Sequence, residues 1–287
     1  MRSMVATPSR SEVARVGFIG LGDMGGALAS RIIDAGFPTV LWARRPHVLS
    51  PFVGPAVQAA ATPAELASAV DLVGICVWDD DAVREVVCGR DGVLAGCRPG
   101  TVIAIHSTVH PHTCHELAYA ATKHRAVVLD APVSGGREVA LTGKLVVPVG
   151  GDEKTFQRSR TVLESFGDPV IHLGGLGAGQ LAKLVNNAML AANLAVANDA
   201  LALAHSLGLH TEAMVEVLGR GSARSYALEV AVAGRGSATI REQAAGPLGK
   251  DLGCLNAVLG KPADATVLTS AADAGVQRLT DPARWVW

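Results

Sequence analysis

The sequence predicts an α/β chain: a doubly wound parallel sheet in the first part and an all-helical second part, joined by one long helix. Three observations lead there. Short apolar runs alternate with helix-like segments through the first part. A glycine-rich turn follows the first of those runs and opens an Ala- and Leu-containing helical stretch. From Gly177 onward the alternation stops, and Gln180 to Leu207 is one run of helix formers ended by Gly208. The implied organisation is a flexible extension over 1–14, a sheet domain over 15–178 and a helical domain over 179–287.

In chain order, Met1 to Arg15 is mixed and polar, lacks the apolar stretch of a secretory signal, and reads as a loose extension. Val16 to Gly20, Thr39 to Ala43, Asp71 to Val77, Thr101 to His106 and Ala126 to Asp130 read as strands of one parallel sheet. Thr62-Pro63-Ala64-Glu65 predicts a helix start, with Thr62 as N-cap, Pro63 at the first helical position and Glu65 closing a capping box. Asp79-Asp80-Asp81 reads as acids at another helix start, where they complement the dipole without any metal. Leu145 to Val149 and Val170 to Leu173 are expected to extend the same sheet.

The long helix spans roughly 40 Å at about 1.5 Å per residue. It is apolar on nearly all sides and needs packing all round, which another subunit could supply. Asn193, Asn198 and Asp199 interrupt its most apolar part, Ala188 to Ala204, and favour a buried helix over a bilayer span. Gly234-Arg235-Gly236-Ser237 and Gly246-Pro247 read as loops in the helical half.

With 287 residues, 49% of them hydrophobic, the chain can bury a large core. A formal net charge of −1 gives no basic field for nucleic acid or an anionic membrane, and 4% aromatic residues leave little for base stacking. A small molecule is the expected partner. The five cysteines contain no Cys-x-x-Cys pair and their odd number completes no disulfide framework, which fits a reduced, cytoplasmic setting.

Gly20-Leu21-Gly22-Asp23-Met24-Gly25 has the form of a dinucleotide fingerprint. Gly20 allows the tight turn, Gly22 lets the backbone approach a pyrophosphate, and Gly25 lets helix and strand pack closely. Such Rossmann-type units normally place an acid for the ribose at the end of the second strand. Here Ala43-Arg44-Arg45 occupies that tip, and no Asp or Glu occurs between Asp34 and Glu65. NADP is therefore preferred over NAD, with Arg44 the better candidate for the 2′-phosphate and Arg45 adding charge or stacking. Lys183 and Asn187 share one face of the long helix, one turn apart, with Asn186 beside them. A lysine there suits proton donation, because partial burial brings an amine toward the working pH range.

These motifs stand in one order with Asp130-Ala131-Pro132-Val133-Ser134-Gly135-Gly136, Gly177-x-Gly179-x-x-x-Lys183-x-x-Asn186-Asn187 and Lys250-Asp251-Leu252. Taken together, nearly the whole chain resembles the β-hydroxyacid dehydrogenases. The resemblance implies hydride transfer between NADP(H) and a small carboxylate-bearing alcohol, semialdehyde or 2-oxo acid, without a metal. It implies Lys183 as acid/base, Ser134, Gly135 and Gly136 on the substrate carboxylate, and Asn187 orienting the substrate. It further implies Thr108, preceded by Ser107, on the nicotinamide side, Lys250 closing over the dinucleotide beside Asp251, and a homodimer or homotetramer.

Some positions depart from that pattern. Arg137 and Glu138 replace small residues, and either line the pocket entrance or form a solvated ion pair. Ile105-His106 stands where many relatives carry an acid, so His106 is a candidate contact for cofactor or substrate. Asp199 replaces a glutamate, and Arg224, Ser225 and Tyr226 fall in the substrate-pocket region without assignable roles. His106, His110, His112 and His115 superficially suggest a metal set, but Pro111 and a helix start scatter their directions. The competing readings are an imine reductase, a non-catalytic binding or oligomerisation module and a pure NADP sensor. Lys183 argues against the first two, and an activity assay separates the third.

Overall fold

The computed structural model describes residues 13–234, 237–260 and 266–281. The expected extension over 1–14 lies almost wholly outside them. Contacts divide the chain between Lys183 and Leu184 into two compact units.

The first unit carries a six-stranded sheet of β1 (Val16–Ile19), β2 (Thr39–Trp42), β3 (Val57–Ala59), β4 (Leu72–Ile75), β5 (Val102–Ile105) and β6 (Val127–Asp130). Their spatial order is β3-β2-β1-β4-β5-β6, and every neighbouring pair is parallel. The helices between strands are α1 (Asp23–Asp34), α2 (Pro63–Ser68), α3 (Asp80–Cys88), α4 (Val93–Gly96), α5 (Pro111–Thr122), α6 (Gly136–Leu141) and α7 (Glu153–Leu163), with a short 3-10 turn over Pro46–Leu49.

Alternate strand residues feed two cores, one on each face of the sheet. Phe18, Leu72 and Ala104 pack with Leu28 and Ile32 of α1 and Phe156 of α7. Ile19, Ile75 and Ile103 pack with Leu66 of α2, Val83 of α3 and Leu117 of α5. Burial of both faces explains why these strands read as continuous apolar runs rather than alternating ones. β3, a three-residue edge strand with two exposed positions, has no such run and leaves no strand signal in the sequence.

Local signals hold at several helix starts. Thr62 Oγ1 accepts the Glu65 N–H at 3.0 Å, while Glu65 Oε2 accepts from Ala61 N, one residue earlier than a standard capping box. Asp79 caps α3 through Ala82 N, and Asp80 instead accepts from His110 N at the start of α5.

The expected extension of the main sheet is not formed. The strands β7 (Leu145–Val149) and β8 (Gly167–His172) pair with each other as a separate two-stranded parallel sheet. Among the described residues, their backbone pairs with the β6 region only at isolated antiparallel bridges, Asp130 to Gly150 and Ser134 to Val146. Between those bridges lies Pro132, which has no N–H to donate to a ladder.

The second unit consists of α8 (Ala178–Ser206) from Leu184 on, α9 (Thr211–Arg220), α10 (Tyr226–Gly234), α11 (Ala238–Leu259) and α12 (Thr266–Thr280). Leu184, Ala188, Leu194 and Leu201 of α8 pack with Leu228, Leu248, Leu252 and Leu279. Gly275 lets α12 approach the α8 backbone, since a Cβ there would collide with Ala191 O. By length and composition alone, with mean hydropathy 1.2, α8 could cross a membrane. Its buried residues make it the core helix of this unit, where Asn198 is buried and Asp199 pairs with Arg278.

Gly246-Pro247 is not a loop: Pro247 lies inside α11. The missing N–H costs one helical bond, and the packing of Leu248, Leu252 and Leu255 carries the helix through it. Arg235 and Gly236 lie outside the described residues.

Candidate active site

The site begins where β1 turns into α1. Gly20 sits at φ +93, a region L side chains avoid, and a Cβ there would meet Cys76 O at the end of β4. A Cβ on Gly25 would strike Gly20 O, so strand, turn and helix close only with glycine at both places. Gly22 differs: nothing lies within 4 Å of a Cβ built on it. It is also the N-cap of α1 and offers no side-chain cap. Leu21, Asp23 and Met24 complete the turn, which opens at the point where strand order reverses between β1 and β4. Open sheets of this kind bind ligands in that crevice. Arg44 and Arg45 follow β2, exposed and without an ion pair among the described residues. The Cys76 thiol is pushed up to about 12 by burial and stays neutral.

At the end of β5, Ser107 is buried and its Oγ accepts the Val77 N–H at 2.8 Å, which ties the strand end to β4. Thr108 follows it, half-buried. His106 is no candidate contact for a ligand: it is 3% exposed, stacks on Phe18 with ring centroids 5.9 Å apart, and bonds Ala131 O through Nδ1 at 2.8 Å. Burial drives its pKa down to about 4, so the ring is neutral and serves the core.

Beyond β6, Ser134 exchanges backbone bonds with Val146 at 2.9 and 3.0 Å. Gly135 and Gly136 hold φ +141 and +81 and begin α6, whose start has no side-chain cap. Arg137 and Glu138 form an exposed ion pair at 3.1 Å.

Lys183 is half-buried in the second turn of α8, and Asn187 follows one turn later on the same helix. In the second unit Asn187 is buried and its Nδ2 donates to Asp251 Oδ2 at 2.6 Å, while Asn186 donates to Asn187 Oδ1 at 3.1 Å. Lys250 Nζ lies 2.9 Å from Asp251 Oδ1. Ser225 Oγ accepts from Leu228 N near the start of α10, and Tyr226 is exposed. His110 caps α5 by accepting from His112 N, and His112 pairs with Glu116.

Two buried polar residues received no role from the sequence. Asp130 Oδ1 accepts from Gly177 N and Oδ2 from Gln180 N, both at 2.7 Å. Burial raises its carboxyl pKa against the pull of backbone N–H groups from Gly177, Gln180 and Gly179. Gln180 donates to Ser107 O at 2.9 Å and accepts from Val109 N at 3.1 Å. The only signal in the sequence was Asp130 standing 47 residues before Gly177 in an ordered set of motifs.

Residues 15–174 match the family model described as the NAD binding domain of 6-phosphogluconate dehydrogenase. Residues 177–281 match the model for NAD-binding of NADP-dependent 3-hydroxyisobutyrate dehydrogenase. The chain belongs to the β-hydroxyacid dehydrogenase family. It is 35% identical over 226 residues to the mitochondrial 3-hydroxyisobutyrate dehydrogenase of Mus musculus, covering 78% of this chain and 68% of that one. A 3-hydroxyisobutyrate dehydrogenase of Mycobacterium tuberculosis with L-serine superposes with a TM-score of 0.78 at 29% identity, covering 93% of this chain and 94% of that one. A protein named Psf3, in complex with NADP+ and 2-OPP, gives a TM-score of 0.82 at 27% identity and covers 94% and 98%. This β-hydroxyacid dehydrogenase is thus an NAD(P)-dependent oxidoreductase acting on CH–OH groups.

Proposed function

We propose that the enzyme transfers a hydride between NADP(H), in preference to NAD(H), and a small carboxylate-bearing alcohol or its semialdehyde or 2-oxo acid, with Lys183 as the general acid/base. The observation that carries this reading is a lysine in the second turn of α8, in a chain whose first β-turn-α unit leaves a helix start uncapped and open. Gly20 to Gly25 and the α1 N–H groups would hold the pyrophosphate, Arg44 the 2′-phosphate with Arg45 beside it, Thr108 the nicotinamide side, and Lys250 the outer side of the dinucleotide. Ser134, Gly135 and Gly136 would bind the substrate carboxylate through a hydroxyl and backbone donors, and Asn187 would orient the substrate.

The bound dinucleotide supplies or accepts the hydride. Lys183 gives its proton to the oxygen that becomes the alcohol, and takes it back in the oxidative direction. Residues 15–178 form the nucleotide domain and 179–287 the substrate and oligomerisation domain in this reading. We assign it to the cytoplasm, on the five free cysteines.

A homodimer or homotetramer fits the outer face of α8. Val185, Met189, Val196 and Leu203 are 53%, 52%, 61% and 60% exposed and share one helix face.

The test is NADPH and NADH oxidation by purified protein against glyoxylate, succinic semialdehyde, methylmalonate semialdehyde, tartronate semialdehyde and cyclic imines. Acid-dependent turnover faster with NADPH is the expected result. Turnover confined to imines, or silence across the panel despite NADPH binding, overturns the proposed reaction.

A further inference from the structure

Two buried side chains fasten the start of α8 to the sheet. Asp130, the last residue of β6, is 0% exposed and takes the Gly177 and Gln180 N–H groups on separate oxygens, both at 2.7 Å. Those N–H groups belong to the set that every helix start leaves without a partner, and an anion there also complements the helix dipole. Gln180, also 0% exposed, reaches the neighbouring strand. Its amide bonds Ser107 O at 2.9 Å and Val109 N at 3.1 Å, so it holds the main chain on both sides of Thr108.

The fit leaves no slack. A Cβ on Gly179 would lie 2.7 Å from Pro148 O and 2.9 Å from Asp130 Oδ2. A neutral Ser, Thr or Asn could cap a helix without the desolvation cost of a buried carboxylate. What the observed pair adds is geometric: one end of the helix is pinned to two adjacent strand ends at once. Lys183 lies three residues beyond Gln180, its neighbour on the helix surface.

We propose that Asp130 and Gln180 are positioning residues, which fix the first turn of α8 against the ends of β5 and β6 and so deliver the Lys183 amine at one height and angle relative to Thr108. The inference rests on Lys183 as the acid/base. A shift of about 1 Å in such a group can cost roughly 100-fold in rate, which is the sensitivity that makes a rigid clamp worth a buried charge.

Asp130→Asn and Gln180→Leu in the full-length protein test it, with Gln180→Met as the near-isosteric variant that loses both amide bonds without adding a charge. Hydrogen exchange needs no substrate: amides of 177–183 should exchange about tenfold faster or more, while the strands of the sheet keep their wild-type rates. With the acid selected by the panel above, kcat should fall about 10- to 100-fold, with KM and the NADPH Kd within about twofold. In a Lys183→Ala background the same substitutions should change the residual rate less than about twofold, since they act through the lysine. Wild-type exchange at 177–183, a loss confined to KM or Kd, or an equal kcat loss without the lysine each overturns the clamp. Turnover retained by Lys183→Ala itself overturns the lysine reading instead.

Discussion

The role proposed for Arg44 in cofactor preference can be tested alone. Arg44→Ala should weaken NADPH by about 1–3 kcal/mol and NADH far less, as fluorescence titration would show; equal weakening of both would end the assignment. Lys183→Ala should keep NADPH binding and lose turnover. His106 makes a separate prediction about pH. Its folded pKa of about 4 lies below the ordinary value of 6.5, so between those limits the unfolded chain binds more protons. Stability is therefore fully present above about 6.5 and declines as pH falls toward about 4, by on the order of 3 kcal/mol. Denaturant midpoints across that range should show the decline in wild type and its loss in His106→Gln; identical slopes would refute it. A sequence shows a histidine beside Ser107-Thr108 but not that Phe18 and Ala131 O take both its face and its edge.

Among elements, the legible ones were those with a local cause. Thr62 before Pro63 states a helix start in four residues, because the cap and its acceptor are neighbours in sequence. Thr62→Ala should cost about 1 kcal/mol in thermal or chemical unfolding, and no loss would mean the cap is idle. Pro247 shows the opposite case: its local preference to end a helix is overridden by leucines of α11 that pack on residues far away in sequence. β7 and β8 are legible as strands in the sequence, but their separation from the main sheet is not. Apolar runs specify strand character, whereas pairing depends on the backbone between them, here interrupted at Pro132.

For the molecule as a whole, the exposed apolar stripe of α8 predicts self-association through that helix. Val196→Glu should lower the mass measured by light scattering without unfolding the monomer; an unchanged mass would show that the face is free in solution. The sequence by itself determined the sheet-then-helix order, the glycine turn, the arginine-bearing end of β2 and the ordered motifs around Ser134 and Lys183. Each of these is local, carried by periodicity, a turn requirement or a short spacing. Only the tertiary structure decided that Asp130 and Gln180 hold the start of α8, that His106 is buried and that β7 and β8 stand apart. Those depend on groups 25 to 73 residues apart meeting in space. Burial and hydrogen-bond partners at such separations leave no periodic trace in one chain, so folding has to bring them together before they can be read.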